Sequence, residues 1–173
     1  VLVTGCDGQL GNEFKKIALY EDDINWIFTD IDTLNVCNEA EILNFFNKNK
    51  IDVCINCAAY TAVDKAEDDE ATARLVNATS VSYLAKTCKS HDSLLIHIST
   101  DYVFDGTSER AYREDDTVSP NSVYGKTKAE GEQFIINSGC SYIIVRTSWL
   151  YSSFGNNFVK TMLRLGKERS ELN

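Results

Sequence analysis

The sequence predicts an α/β fold, a doubly wound parallel sheet with helices on both faces. Short apolar segments alternate with longer segments whose apolar residues recur at helical spacing. Most of the apolar segments are continuously hydrophobic, as expected of strands that are covered on both faces. With 173 residues, 43% of them hydrophobic and 25% charged, the chain has the size and composition of one domain with a substantial core. We therefore expect a single unit over residues 1–173.

The predicted elements alternate along the chain, as in βαβ proteins. Strands are expected at residues 1–4, 26–29, 51–58, 94–98 and 142–145. Helices are expected at residues 8–20, 38–48, 70–89, 122–137 and 156–167. Asn38 should cap the second helix, with Glu41 as its capping-box partner. Residues 105–120 are polar and contain the single proline, which predicts a long functional loop.

The acidic balance of the chain excludes several classes of partner. It has 17 Lys and Arg against 26 Asp and Glu, a formal net charge of −9. Nucleic acids and anionic membrane surfaces both require a basic face, so neither is expected. No apolar run approaches the ~20 residues of a membrane span. The chain opens on an apolar strand without a signal-peptide pattern, and we expect a cytoplasmic protein.

The six cysteines are spread over the chain, which predicts reduced thiols. Cys54 and Cys57 match the C-x-x-C pattern, but they fall on a predicted strand. Positions i and i+3 of a strand face opposite sides of the sheet. The pair is therefore predicted to be small buried residues and not a dithiol or zinc site.

Three glycines mark the loop between the first strand and the first helix. Gly5, Gly8 and Gly11 recur every third residue directly after the strand. Glycine lets the backbone turn tightly and approach a pyrophosphate, whose charge a helix N-terminus stabilises. This strand–loop–helix context is the one that a dinucleotide fingerprint requires, so we expect a Rossmann-like NAD(P)-binding domain. Gln9 and Leu10 belong to the same predicted cofactor loop.

A carboxylate follows the second predicted strand. Asp30 lies 19 residues after Gly11 and could accept hydrogen bonds from an adenosine ribose 2′-hydroxyl, while repelling a 2′-phosphate. No Lys or Arg stands in residues 31–36 to receive that phosphate, so the sequence favours NADH over NADPH. Two alternatives stay open: Asp30 could simply end the strand, and Asp32 could take the ribose.

Small residues follow the third predicted strand. Ala58 and Ala59, continued by Tyr60 and Thr61, would let a cofactor lie close to the backbone. Ordinary tight core packing explains the same composition equally well. Both interpretations stay open at this point.

Hydroxyl and carboxylate groups end the fourth predicted strand, at the edge where open α/β sheets bind ligands. Thr100, flanked by Ser99 and Asp101, could hydrogen-bond a substrate carbonyl oxygen. His97 lies two residues earlier and is predicted to be a hydrogen-bonded core residue. His91 lies in a polar turn, where we expect it to be solvated.

Tyr124 and Lys128 are four residues apart on a predicted helix and therefore share one of its faces. A cationic neighbour favours the phenolate form of a tyrosine, whose reference pKa is about 10. A tyrosine tuned in this way can exchange a proton with a carbonyl or alcohol near neutral pH. The pair alone is weak evidence, and it gains weight from the glycine loop.

Together these segments resemble the extended short-chain dehydrogenase/reductase family, and within it the reductases of 4-keto dTDP-sugars. The resemblance covers nearly the whole chain. The segments that carry it are residues 4–11, 56–67, 77–79, 99–106, 119–128, 146–151, 156–158 and 162–165.

The resemblance implies a reaction and a role for each site residue. The reaction is NAD(P)H-dependent reduction of the C4 keto group of dTDP-4-dehydro-L-rhamnose, so that the partner is a dTDP-sugar. Tyr124 would give a proton to the developing alkoxide, and Thr100 would hydrogen-bond the C4 oxygen. Lys128 would bind the nicotinamide ribose and lower the pKa of Tyr124. Three further residues correspond to substrate-contacting positions: Asp101, Tyr102 and Trp149. Mg²⁺ is implied by the family alone, and no metal ligand is predicted.

One departure separates this chain from relatives with other reactions. Sugar-nucleotide dehydratases of the superfamily place an Asp–Glu pair after the threonine, whereas here Asp101 is followed by Tyr102. This favours plain ketone reduction over dehydration. Two further functions stay open: a non-catalytic NADP-binding subunit, as in the β subunit of methionine adenosyltransferase, and a reductase or epimerase of another nucleotide sugar.

Members of the family continue beyond the length of this chain with a substrate-binding portion. We therefore expect residues 1–173 to hold the cofactor-binding part, and to bind cofactor but turn over poorly. The reason is that binding energy from remote substrate groups is often needed for the chemical step. The sequence leaves the oligomeric state open, with a homodimer as one option.

Overall fold

The computed structural model describes residues 1–169 and residue 171, so residues 170, 172 and 173 of the predicted unit lie outside it. Within the described residues, five parallel strands form one sheet in the order β2-β1-β3-β4-β5. They are β1 (Leu2–Thr4), β2 (Ile27–Thr29), β3 (Val53–Asn56), β4 (Leu94–Thr100) and β5 (Ser141–Thr147). The predicted parallel α/β architecture is confirmed.

In the described part of the chain, seven α-helices connect or follow the strands. They are α1 (Gln9–Ile17), α2 (Glu39–Lys48), α3 (Val63–Asp68), α4 (Glu70–Arg74), α5 (Ser80–Ser90), α6 (Val123–Ser138) and α7 (Phe158–Glu168). The Asn38 side chain caps α2 by accepting hydrogen bonds from the backbone N–H groups of Ala40 and Glu41. Glu41 accepts in return from the Asn38 side-chain amide and not from its backbone, so the predicted box forms in a modified way.

The helix predicted over residues 70–89 forms as one continuous helical segment, but it contains a π-helical turn, and the additional short helix α3 precedes it. Asp69 separates α3 from α4, and a π-helical turn (Leu75–Thr79) joins α4 to α5. Asn77 in that turn is 1% exposed, and its side-chain amide accepts from the backbone N–H of Tyr60 (2.8 Å) and donates to the Tyr60 carbonyl (3.0 Å). Such single π-turns often lie at functional sites.

The direction in which successive strands are added to the sheet reverses at β1. The connection from β1 leads outward to β2, and the next one returns across β1 to β3. Because such crossovers are right-handed, α1 lies on one face of the sheet, and α2, α5 and α6 lie on the other. Ligands bind at the carboxyl ends of the strands beside such a reversal, here between β1 and β3.

The two faces of the sheet are covered unequally. On β4, Leu95 and His97 are fully buried against the side that carries α5 and α6. The alternate residue Ile96 is only half-buried, and on β5 Ile143 and Val145 are 48% and 38% exposed. The main core therefore lies on the α2–α5–α6 side. Among the described residues, no helix has the length and apolarity needed to cross a membrane.

Candidate active site

The glycine loop packs directly against the backbone that follows β3. Gly5 has φ +63°, and a Cβ added there would lie 2.6 Å from the Ala58 nitrogen. A Cβ on Gly11 would lie 2.4 Å from the Cys6 Cα. Gly8 is the N-cap of α1 and offers no side-chain cap. The first N–H groups of α1 are thus left without a side-chain partner, as in anion-binding loops.

Beside this loop, at the carboxyl ends of the strands, lies a cleft of about 530 Å³. It brings together most of the predicted site residues. Those that line it are Gly5, Gly8, Gln9, Leu10, Gly11, Ala59, Thr61, Thr100, Asp101, Tyr102, Tyr124, Lys128 and Trp149.

The remaining predicted residues lie elsewhere. Asp30 and Ala58 line a second cavity of about 320 Å³, whose wall also includes Gly5 and Gly8. Tyr60 lines neither cavity. It packs against a small buried cluster that includes Tyr124, and its backbone is bonded by Asn77. Asp32 is an exposed residue in neither wall.

Three of the predicted substrate residues lie between two cavities. Asp101, Tyr102 and Trp149 line both the main cleft and a neighbouring cavity of about 510 Å³. Trp149 is 72% exposed, its ring meets that of Phe158 edge-on at 5.0 Å, and its φ is +53°. A non-glycine residue in this strained backbone region is often found at a binding site.

Tyr124 is buried at the start of α6, with its ring edge-on to Tyr102 at 5.6 Å. Burial raises the pKa of Tyr124, the neighbouring Thr100 hydroxyl lowers it, and the Asp101 charge raises it. The pKa of Tyr124 is raised overall, and Lys128 directs its terminal amine to a backbone carbonyl of β4, so the lowering of this pKa by Lys128 stays a prediction.

Lys128 is 2% exposed, although it also contributes to the cleft wall. Its Nζ donates to the Ile98 carbonyl at 2.7 Å and lies 3.3 Å from His97 Nε2. Burial lowers the pKa of Lys128 to about 8, opposed by the charge of Glu132. The lysine can therefore change its charge near neutral pH.

Asp30 already has hydrogen-bond partners in the glycine loop. Its Oδ2 accepts from the Asp7 nitrogen at 2.9 Å, and its Oδ1 accepts from the Ile31 nitrogen at 2.8 Å. Cys6, Asp7 and Asp30 are also the one group among the described residues whose ligand atoms could hold a metal, a cluster that the sequence analysis missed. Lys15 Nζ lies 2.6 Å from Asp7 Oδ1, so the cluster already contains a cation of the protein itself.

Three buried polar residues that the sequence analysis left out of the site support it. Asn56 Oδ1 accepts from the Ala58 nitrogen at 3.2 Å. Asn77 holds the Tyr60 backbone, and Glu132 accepts from Ser99 Oγ at 2.5 Å. Only Asn56 carries a sequence signal, because it is a polar residue that interrupts the apolar strand over residues 51–58.

The cysteines are all free, and all six lie in the described part of the chain. Cys54 is fully buried in the core, whereas Cys57 is half-buried and lines the cleft. Burial raises the pKa of Cys57 to about 12, so it remains a thiol at neutral pH.

The family model described as RmlD substrate binding domain matches residues 1–173. The chain belongs to this family. Among its curated relatives, the dTDP-4-dehydrorhamnose reductase of Aggregatibacter actinomycetemcomitans is 43% identical over 99% of the chain and 58% of the relative. The enzyme of the same name from Salmonella typhimurium is 42% identical, with the same coverage of 99% and 58%.

Two solved structures have the same fold as this chain. A dTDP-4-dehydrorhamnose reductase from Clostridium acetobutylicum superposes with a TM-score of 0.95 at 47% identity, over 99% of this chain and 60% of that one. The Bacillus anthracis protein of the same name, solved in complex with NADP, gives 0.95 at 39% identity with the same coverage. The chain thus spans about 58–60% of the length of these relatives.

Proposed function

We propose that this protein reduces the C4 keto group of dTDP-4-dehydro-L-rhamnose with NAD(P)H, giving dTDP-L-rhamnose for cell-surface polysaccharides. One observation carries the proposal: the glycine loop, Thr100 and Tyr124 line the same cleft at the reversal point of the sheet. The names of the family members cited above support the choice of substrate.

The cleft suits a dinucleotide. The glycine loop can pack this closely on the backbone at Ala58 only because Gly5 has no Cβ, and α1 begins beside it with no side-chain cap on its first N–H groups. Gly8, Gln9 and Gly11 would hold the pyrophosphate. When bound, NAD(P)H supplies the hydride. The NADP complex of the Bacillus anthracis relative supports this choice of cofactor.

Tyr124 is the proposed proton donor. Its hydroxyl belongs to a buried side chain at the cleft wall, where burial keeps it protonated at neutral pH by raising its pKa. A protonated phenol can give its hydrogen to an oxygen that gains negative charge. The Thr100 hydroxyl, beside it in the wall, would donate a hydrogen bond to the same oxygen. Asp101, Tyr102 and Trp149 would contact the sugar nucleotide.

We further propose a preference for NADH over NADPH, and this proposal rests on Asp30. Its carboxylate lines the second cavity and would repel a 2′-phosphate there. Fluorescence titration with NADH and NADPH tests it. We expect tighter NADH binding, and a relative gain for NADPH in Asp30→Asn but not in the control Asp32→Asn. Equal or tighter binding of NADPH to the unsubstituted protein would overturn the assignment.

A cytoplasmic location is proposed because nucleotide sugars and reduced nicotinamide cofactors are made there. A homodimer and a requirement for Mg²⁺ stay predictions. Sedimentation of the purified protein and turnover after chelation measure the two directly.

The proposed reaction is tested by product analysis with the intact protein, dTDP-4-dehydro-L-rhamnose and NAD(P)H. We expect dTDP-L-rhamnose to form in a one-to-one ratio with oxidised cofactor. Cofactor binding without any product from this substrate would contradict the proposal, and would favour a binding role or another nucleotide sugar.

A further inference from the structure

His97 lies at the centre of a buried hydrogen-bond chain beneath the cleft. It is 0% exposed, and in the sheet it pairs with Asn56 of β3. Its Nδ1 lies 3.1 Å from Asn56 Nδ2, and its Nε2 lies 3.3 Å from Lys128 Nζ. The chain continues on the other side, because Thr4 Oγ1 donates to Asn56 Oδ1 at 2.7 Å.

The position of the ring hydrogen on His97 follows from its neighbours. The backbone N–H of Ala58 can only donate, so the Asn56 atom that faces it must be the oxygen Oδ1. Asn56 therefore presents its NH₂ group to His97 Nδ1, which must accept. A ring that accepts at Nδ1 is neutral, since both nitrogens of an imidazolium donate, and burial lowers the pKa of His97 well below its usual value. A neutral ring that accepts at Nδ1 carries its hydrogen on Nε2.

That hydrogen points at the amine of Lys128. An ammonium group has no lone pair and cannot accept it, whereas a neutral amine can accept from Nε2–H and still donate to the Ile98 carbonyl. We propose that His97 is a positioning residue for Lys128, whose amine it holds beneath the cleft and whose neutral form it favours by donating from Nε2. Protonation of Lys128 would then require the ring hydrogen to move to Nδ1 and the Asn56 amide to turn.

The functional consequence rests on the proposed reductase function, in which Lys128 contacts the cofactor ribose. His97 would set the pH at which that contact is charged. Other titratable groups face Lys128 as well, namely Tyr124 and Glu132 on α6 and Cys57 after β3, so the effect of His97 must be measured at the lysine itself. The hydrogen-bond chain exists independently of turnover, and failure of the proposed reaction would leave its test intact.

The first test needs no substitution. ¹⁵N NMR of the histidine rings in the intact protein identifies which ring nitrogen carries hydrogen, and it is recorded at a pH above the pKa of Lys128. We expect the hydrogen of His97 on Nε2. A hydrogen on Nδ1 would overturn the proposal, since Nε2 would then accept a hydrogen bond from Lys128 and could not donate one to it.

The second test follows the pKa of Lys128 by ¹³C NMR of labelled lysine. In His97→Phe the amine loses its donor, and we expect the pKa to rise by about one pH unit, the equivalent of one hydrogen bond. His97→Gln, whose amide N–H can donate to the amine, should restore much of the original value. His91→Phe is the matched control, because His91 bonds Thr87 and Asn47 and not the site. An unchanged or lower pKa in His97→Phe would refute the proposal, and His97→Gln keeps the measurement decisive if the Phe variant does not fold.

Discussion

Arg146 and Glu132 form a two-point ion pair beneath the candidate site. Arg146 Nε donates to Glu132 Oε1 at 3.0 Å, and its Nη2 donates to Oε2 at 2.7 Å. Glu132 is 1% exposed and also accepts from Ser99, while the guanidinium lies over the Phe104 ring at 5.0 Å. The pair therefore ties α6, which carries Tyr124, to the ends of β4 and β5.

Replacing one partner of this pair should destabilise the protein. In Glu132→Gln the Arg146 charge, which is mostly buried, loses its counter-charge, and we expect the free energy of unfolding to fall by about 3 kcal/mol. Urea unfolding measures it. Glu168→Gln breaks the exposed Arg164 pair and serves as the control, with an expected change below about 1 kcal/mol. Equal decreases in the free energy of unfolding of the two variants would show that the buried pair contributes no more to stability than the exposed pair.

Gly5 should tolerate no side chain. In Gly5→Ala the new Cβ would meet the backbone after β3, and alanine is strained at φ +63°. We expect a loss of at least about 2 kcal/mol in stability and more than tenfold in cofactor affinity. Gly166→Ala is the control, because nothing lies within 4 Å of a Cβ there, and alanine should stabilise that helix slightly. Unchanged cofactor binding by Gly5→Ala would contradict the assignment of the loop.

The buried amine of Lys128 should make stability depend on pH. Its pKa is about 8 in the folded protein against a usual 10.5, so the unfolded chain binds more protons between these values, and stability rises with pH across that window. The full cost of the buried charge, about 3 kcal/mol, applies below pH 8. Lys128→Met removes this cost, although it also loses the bond to Ile98.

The free energy of unfolding of Lys128→Met should therefore exceed that of the unsubstituted protein most near pH 7. This difference should shrink or reverse towards pH 10.5. Urea unfolding at several pH values measures that difference. Lys126→Met, an exposed position on the same helix, controls for the change in net charge. A difference that does not vary with pH would show that the amine carries no such cost.

Much of the fold follows from local pattern. The strand–helix alternation, the cap at Asn38 and the loop over residues 105–120 are set by neighbours in sequence. The π-turn inside the helix predicted over residues 70–89 is different, because Asn77 in that turn finds its partners on Tyr60 and Thr127, 17 and 50 residues away. Helical periodicity does not contain such tertiary bonds, so the helix was predicted without the π-turn.

The features of the candidate site also divide into those that local sequence predicts and those that depend on tertiary contacts. Thr100 and Tyr124 were predicted because they follow recognisable signals, a strand end and a helix start, and both line the cleft. The orientation of the Lys128 side chain could not be predicted. Its amine donates a hydrogen bond to a backbone carbonyl of β4, an element about 30 residues earlier in the chain. His97 was predicted to be a hydrogen-bonded core residue, and it is, but its contact with Lys128 depends on the packing of α6 over the sheet.

The most direct test of the account is the comparison of Tyr124→Phe with the unsubstituted intact protein in the reduction of dTDP-4-dehydro-L-rhamnose. Tyr83→Phe, on α5 and outside the cleft wall, is the matched control. We predict that Tyr124→Phe binds NAD(P)H normally but loses about 10²–10⁴-fold in kcat, the contribution of proton transfer. A Tyr124→Phe protein with unimpaired turnover would contradict the account.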